Sequence, residues 1–186
     1  MPIPLGVLAV AGAGAGATGS FDLLETTLIS TNTASVTFSN LNNYSDYKHL
    51  QIRMTLRSNT STDVGYLRFN SNTGNNYSNH DLVGNGSGVF SAAWTSQSGM
   101  WIRFAGSDDP ANAFSSTVVD VLDFGNASKN TTVRQLNGWI ATGAGSNFIY
   151  LMSGAWLNTN AVTSMTLSNL DSSFVSGSRF SLYGIK

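Results

Sequence analysis

Between Tyr47 and Arg57 apolar and polar residues alternate without a break. Leu50, Ile52, Met54 and Leu56 fall on one side of an extended backbone, and His49, Gln51, Arg53, Thr55 and Arg57 on the other. A period of two is that of a half-buried antiparallel strand. Met100, Ile102 and Phe104 alternate with Trp101 and Arg103 in the same way. Ser116 to Phe124 is β-branched and apolar enough for a central strand. Phe148 to Met152 is a further run, bounded by Gly145-Ser146-Asn147 and Ser153-Gly154. Shorter candidates span 23–29, 35–38, 66–69, 133–139, 162–167 and 179–185. Clusters of turn formers lie between them, at Asn70 to Asn76, at Gly84 to Gly88 and at Ser107-Asp108-Asp109-Pro110. No window carries a capped helical pattern. This spacing predicts an all-β chain, a jelly-roll-like antiparallel β-sandwich of about eight to ten strands over residues 21–186.

Residues 1–20 differ from the rest. They carry no charge, have an apolar head, and run into a strict Ala/Gly alternation from Ala11 to Ala17. A secretory signal needs a basic start, and the first Lys or Arg is Lys48. A membrane span needs about 20 apolar residues, and this tract is too short and too rich in glycine. A disordered terminus is the plain alternative. The favoured reading is an extended N-terminal arm buried in a partner, because a free apolar arm is a liability in water. Ile3, Leu5, Val7, Leu8 and Val10 are the expected anchoring residues. Each such side chain contributes about 1.5–3 kcal/mol when buried.

Of 186 residues only 10% are charged, against about 25% in an average soluble chain. Ser, Thr, Asn and Gly fill the deficit. The net charge is -1, which argues against a general nucleic-acid binder. There is no cysteine, so disulfides, thiolate zinc sites and cysteine nucleophiles are excluded. No cofactor is expected.

Catalytic candidates are few. His49 and His80 are the only histidines, and neither has a metal-ligating partner at useful spacing. His80-Asp81, read as a loop, offers at most a weak acid/base pair. Asp108-Asp109-Pro110 lacks the spaced oxygens of a calcium loop. No phosphate-cradling loop or nucleophile elbow is present. Trp94, Trp101, Trp139 and Trp156 fit either a sugar-stacking face or a sandwich core. Arg53, Arg57, Arg68 and Arg103 fall on polar strand faces, where they suit subunit contacts or solvent equally. Segment 34–41 echoes 163–170, either as two equivalent strand–turn units or by chance in a Ser/Asn-rich chain.

Three segments carry a resemblance. They are Phe21-Asp22-Leu23-Leu24-Glu25-Thr26, Tyr44-Ser45-Asp46-Tyr47-Lys48-His49-Leu50-Gln51-Ile52-Arg53 and Gly177-Ser178-Arg179-Phe180-Ser181-Leu182-Tyr183-Gly184-Ile185. Together with the Pro/Gly/Ala-rich arm they resemble a family of small virion structural proteins of tailed bacteriophages, particularly marine and cyanobacterial ones. The likeness covers both ends and leaves the middle variable. It implies a non-enzymatic part of the virion, either a capsid decoration (cement) protein or a tail fibre or tip protein. Its partners would be other virion proteins of capsid or tail and copies of itself, most simply as a homotrimer. A carbohydrate-binding module for host-surface glycans is the alternative. Neither reading involves nucleic acid or a membrane span.

Overall fold

The computed structural model describes residues 20–141 and 147–186. Twelve strands form within them: β1 (Phe21–Leu28), β2 (Ser35–Phe38), β3 (His49–Leu56), β4 (Val64–Phe69), β5 (Tyr77–Gly84), β6 (Val89–Gln97), β7 (Met100–Arg103), β8 (Ser115–Leu122), β9 (Thr131–Trp139), β10 (Phe148–Trp156), β11 (Met165–Asn169) and β12 (Arg179–Ile185). A single 3-10 turn at Leu41–Tyr44 is the only helical element among the described residues. The protein is thus all-β. An eight-stranded sheet runs β1-β12-β3-β8-β9-β10-β5-β6, and a four-stranded sheet runs β2-β11-β4-β7. Every pairing in both is antiparallel. Neighbours far apart in the chain, such as β1 with β12 and β3 with β8, give the sandwich its jelly-roll-like character.

The alternation of β3 lands as expected. Leu50, Ile52, Met54 and Leu56 are buried, beside Phe180 and Leu182 of β12 and Val119 and Val121 of β8. Across from them the small sheet contributes Val36, Phe38, Leu67, Phe69, Met165 and Leu167. The two segments that echo each other in sequence are β2 and β11, and they pair directly. Phe38 lies opposite Met165, Val36 opposite Leu167, and the hydroxyls of Thr37 and Thr166 meet at 2.9 Å on the outside.

Eight strands are about 38 Å wide and four are about 19 Å wide, so the small sheet cannot cover the large one. The uncovered strands β9, β10 and β5 meet the edge of β7 instead of its face. An edge strand presents unpaired backbone groups, and burying them demands partners. Inward-facing amides supply these. Asn79 accepts from the Trp101 amide at 2.8 Å and donates to the Gly99 carbonyl at 3.1 Å. Gln135 donates to the Trp101 carbonyl at 2.5 Å, and Asn137 to the Arg103 carbonyl at 2.7 Å. Gly154 of β10 permits the close approach: a Cβ there would lie 2.5 Å from the Met100 methyl and 2.1 Å from the Ser78 carbonyl oxygen.

This arrangement corrects two expectations. The count is twelve strands, because β5 and β6 did not show as alternating runs. On β5 the inward positions Asn79 and Asp81 are polar, and β6 is an edge strand with no buried position. His80 and Asp81 therefore lie on a strand, not in a loop.

Candidate functional site

On β9, β10 and β5 large apolar residues stand on the outer face as well as the inner one. Leu136 points out between the inward Gln135 and Asn137, and Leu82 points out between the inward Asp81 and Val83. Leu82 of β5 pairs with Leu151 of β10, which pairs with Leu136 of β9, which pairs with Val118 of β8. The four make one row straight across the outer face. Leu82 is 48% exposed, Leu136 51%, Leu151 55%, and Ile149 in the next row 58%. A single exposed leucine is ordinary, but a contiguous row on a flat face marks an interaction site. Ile149 stands between Gly84 and Gly138, its two cross-strand partners, and so projects above its surroundings. Beside it lies an open hollow of about 530 Å³ lined by Val118, Leu136, Gly138, Ile140 and Ile149.

The row on the other side of the leucines is polar. Asp120 accepts from Gln51 at 2.7 Å and from Arg134 at 2.8 Å. Gln51 in turn accepts from Arg53 at 2.7 Å. The Arg53 guanidinium lies 4.5 Å from the ring centre of Tyr183 and 5.2 Å from that of Phe21. Ser153 and His80 continue this row across β10 and β5.

Under the same half of the sheet the inner face holds an aromatic wall. Trp139 and Tyr150 are parallel at 5.6 Å, with Phe148 beside both. Trp94 of β6 packs on Trp101 of β7 at 4.4 Å. Arg103 lies over the rings of Trp101 and Tyr150 and pairs with Asp63 at 3.2 Å. Asp81 is buried on this side. Burial pushes its carboxyl above the usual range, with the Arg103 charge opposing.

No family model, curated protein or solved structure matches this chain.

The remaining candidates separate cleanly. Trp156 is core, packed against Phe69 and Tyr77. Trp139 is also buried, so of the four tryptophans only Trp94 and Trp101 keep partial exposure. Arg57 donates to the carbonyls of Ser107, Asp109, Pro110 and Ala113 and ties down that loop. His80 faces out and Asp81 faces in, so they do not form an acid/base pair. His49 Nδ1 accepts from the Asp123 amide at 2.9 Å and stands 3.4 Å from the Asp123 carboxylate. Asp123 is held by Lys129, whose hydrogen bond keeps its carboxyl below the usual range. A cavity of about 390 Å³ lies alongside, lined by Tyr47, Lys48, Asp123, Asn126 and Thr163. Among the described residues no group of three His, Asp or Glu is placed to hold a metal. No helix among them is long and apolar enough to cross a membrane. The anchoring residues Ile3, Leu5, Val7, Leu8 and Val10 lie outside the described residues.

The leucine row was missed in the sequence although its signal was there. Leu136 and Ile140 share one parity on β9, and Ile149 and Leu151 one parity on β10. Nothing in the sequence says which parity faces the core when both contain large apolar residues.

Proposed function

We propose that the protein is a non-enzymatic structural component of a tailed-phage virion, an accessory protein of head or tail. Capsid decoration and tail fibre or tip are the two stations this role covers. The N-terminal arm is the anchor, through Ile3, Leu5, Val7, Leu8 and Val10, and the sandwich is the body held by it. The observation that carries this reading is the leucine row. A sheet that buries amides and displays leucines is built to be covered by protein, and an uncharged apolar arm on the same chain is a second such element. Self-association goes with the role, and a homotrimer is what analogy with virion sandwiches offers. The test is intact-mass measurement on particles of the virus that encodes this chain, followed by deletion of residues 2–17. Retention of the full mass and loss of incorporation on deletion are expected. Absence of the chain from particles, or undiminished incorporation without the arm, overturns the reading.

Binding of a host-surface glycan is the second reading, favoured by one observation. Trp94 and Trp101 form a partly exposed aromatic pair beside Arg103, the combination that sugar rings stack on. Binding on a glycan array that Trp94→Ala abolishes would establish it. Unchanged binding, or none, removes it.

A further inference from the structure

We infer that the leucine row is a two-fold contact between copies of this chain, with β9 of each lying on β10 of the other. The inference stands on the sheet face alone, does not depend on the particle role, and puts a dimer in place of the homotrimer that analogy offers.

Two sheets pack face to face with their strands roughly aligned and side chains interlocking, about 10 Å apart. A two-fold contact must match a surface with itself. Place the axis along the strands, midway between β9 and β10. The operation keeps each cross-strand row at its own level and reverses the strand order. Leu136 then meets Leu151 of the partner subunit, and Val118 meets Leu82 of the partner subunit. One row along, the projecting Ile149 meets Gly138 of the partner subunit, where the open hollow receives it. Ser116 meets Gly84 of the partner subunit, which leaves no clash. On the polar side Asp120 meets His80 of the partner subunit, an acceptor against a donor, and Arg134 meets Ser153 of the partner subunit. Leucine meets leucine or valine at the centre, isoleucine meets glycine one row along, and the carboxylate meets the imidazole on the polar side.

The alternative axis, across the strands, does worse. It stacks Arg134 on Gly138 of the partner subunit and His80 on Gly84 of the partner subunit. Both charged or polar groups then lose solvent without gaining a partner, which costs free energy. The strand-parallel axis is therefore the one this face fits. The contacting face is four strands by about eight residues, roughly 500 Å² in projection. That is a modest interface, so dissociation on the order of micromolar is expected.

The full chain is tested by sedimentation equilibrium from about 1 to 500 μM, a range that brackets such an affinity. Wild type should approach twice the 19.7 kDa chain mass. Leu136→Lys and Leu151→Lys should each weaken association at least about 100-fold, as two like charges enter the centre of the contact. Leu157→Lys, at an equally exposed leucine beyond the end of β10, should leave it unchanged. Thermal unfolding of the three variants should match wild type, which separates lost assembly from lost folding. The natural chain has no cysteine, so Leu136→Cys and Leu151→Cys report register. Oxidising the two single variants together should give the mixed disulfide dimer faster than either alone. A monomer throughout the range overturns the inference and leaves the row to a different protein. A trimer, or assembly indifferent to Leu136→Lys, overturns it too. Equal cross-linking of like with like rejects the strand-parallel axis.

Discussion

The two halves of the large sheet obey the same alternation with opposite results. On β12, β3 and β8 the apolar parity faces in and the polar parity faces out. On β5 and β9 the inward parity mixes Asn79, Asp81, Gln135 and Asn137 with buried apolar residues, while leucine and isoleucine of β5, β9 and β10 face water. The cause is what each half meets. The first half meets the face of the small sheet, which offers side chains. The second meets the edge of β7, which offers backbone N–H and C=O groups. Burial thus selects hydrocarbon in one place and rings mixed with hydrogen-bonding groups in the other. The outward apolar residues of the second half are a surface available to a partner.

The sharpest way to break this contrast is to strip the conventional half. Ile52 is fully buried at its centre, and Ile52→Ala should cost about 2–5 kcal/mol in urea unfolding. A loss under about 1 kcal/mol would mean that the covered half is not the stabilising one.

The second test goes to the amide clamp. Asn79→Leu keeps the branched shape and removes the groups that satisfy Trp101 N–H and Gly99 C=O. The expected cost is about 1–3 kcal/mol, because buried backbone groups are left unpaired. If the leucine variant is as stable as wild type, inward polarity on β5 has no structural purpose and the contrast fails.

Smaller still is the effect expected on the exposed row. Leu136→Lys should change unfolding free energy by no more than about 0.5 kcal/mol, the range of an ordinary surface substitution. A cost near that of Ile52→Ala would place Leu136 in the core.

The last effect concerns pH. Burial raises the Asp81 carboxyl, so the folded chain holds that proton at a pH where the unfolded chain has released it. The stabilisation tied to this group is present below the unfolded value of 3.8 and is lost as pH rises through the higher folded value. Asp81→Asn should flatten that decline when urea midpoints are compared between about pH 4 and 7. An Asp81→Asn profile parallel to wild type would show that the carboxyl titrates alike in both states.

Legibility from sequence follows the same division. β3, β8 and β12 were readable because the residues chosen for their core face are hydrocarbon. β5 was not, since Asn79 and Asp81 occupy core-facing positions and erase the alternation. On β9, Val133 and Trp139 argue for one parity and Leu136 and Ile140 for the other, and only the position of β7 decides. His80 and Asp81 were adjacent in sequence and suggested a pair, yet strand geometry sends them to opposite faces. The arm residues were singled out by composition, and they lie outside the described residues.

One pairing bears on how the chain reaches this state. β12 lies between β1 and β3, so Phe21 finds its cross-strand neighbour at Ile185. Of the described strands, the last to leave a ribosome is the one that joins the first two made in this sheet. Until then β1 has no neighbour, and β3 has one free side. Contacts spanning nearly the whole chain predict folding in milliseconds to seconds, the slow end for a single domain. Through that interval two unpaired strand edges and the buried parity of β3 stand open to other nascent chains. Lowering the rate of synthesis or the temperature of expression should therefore raise the yield of folded protein more than any surface substitution does.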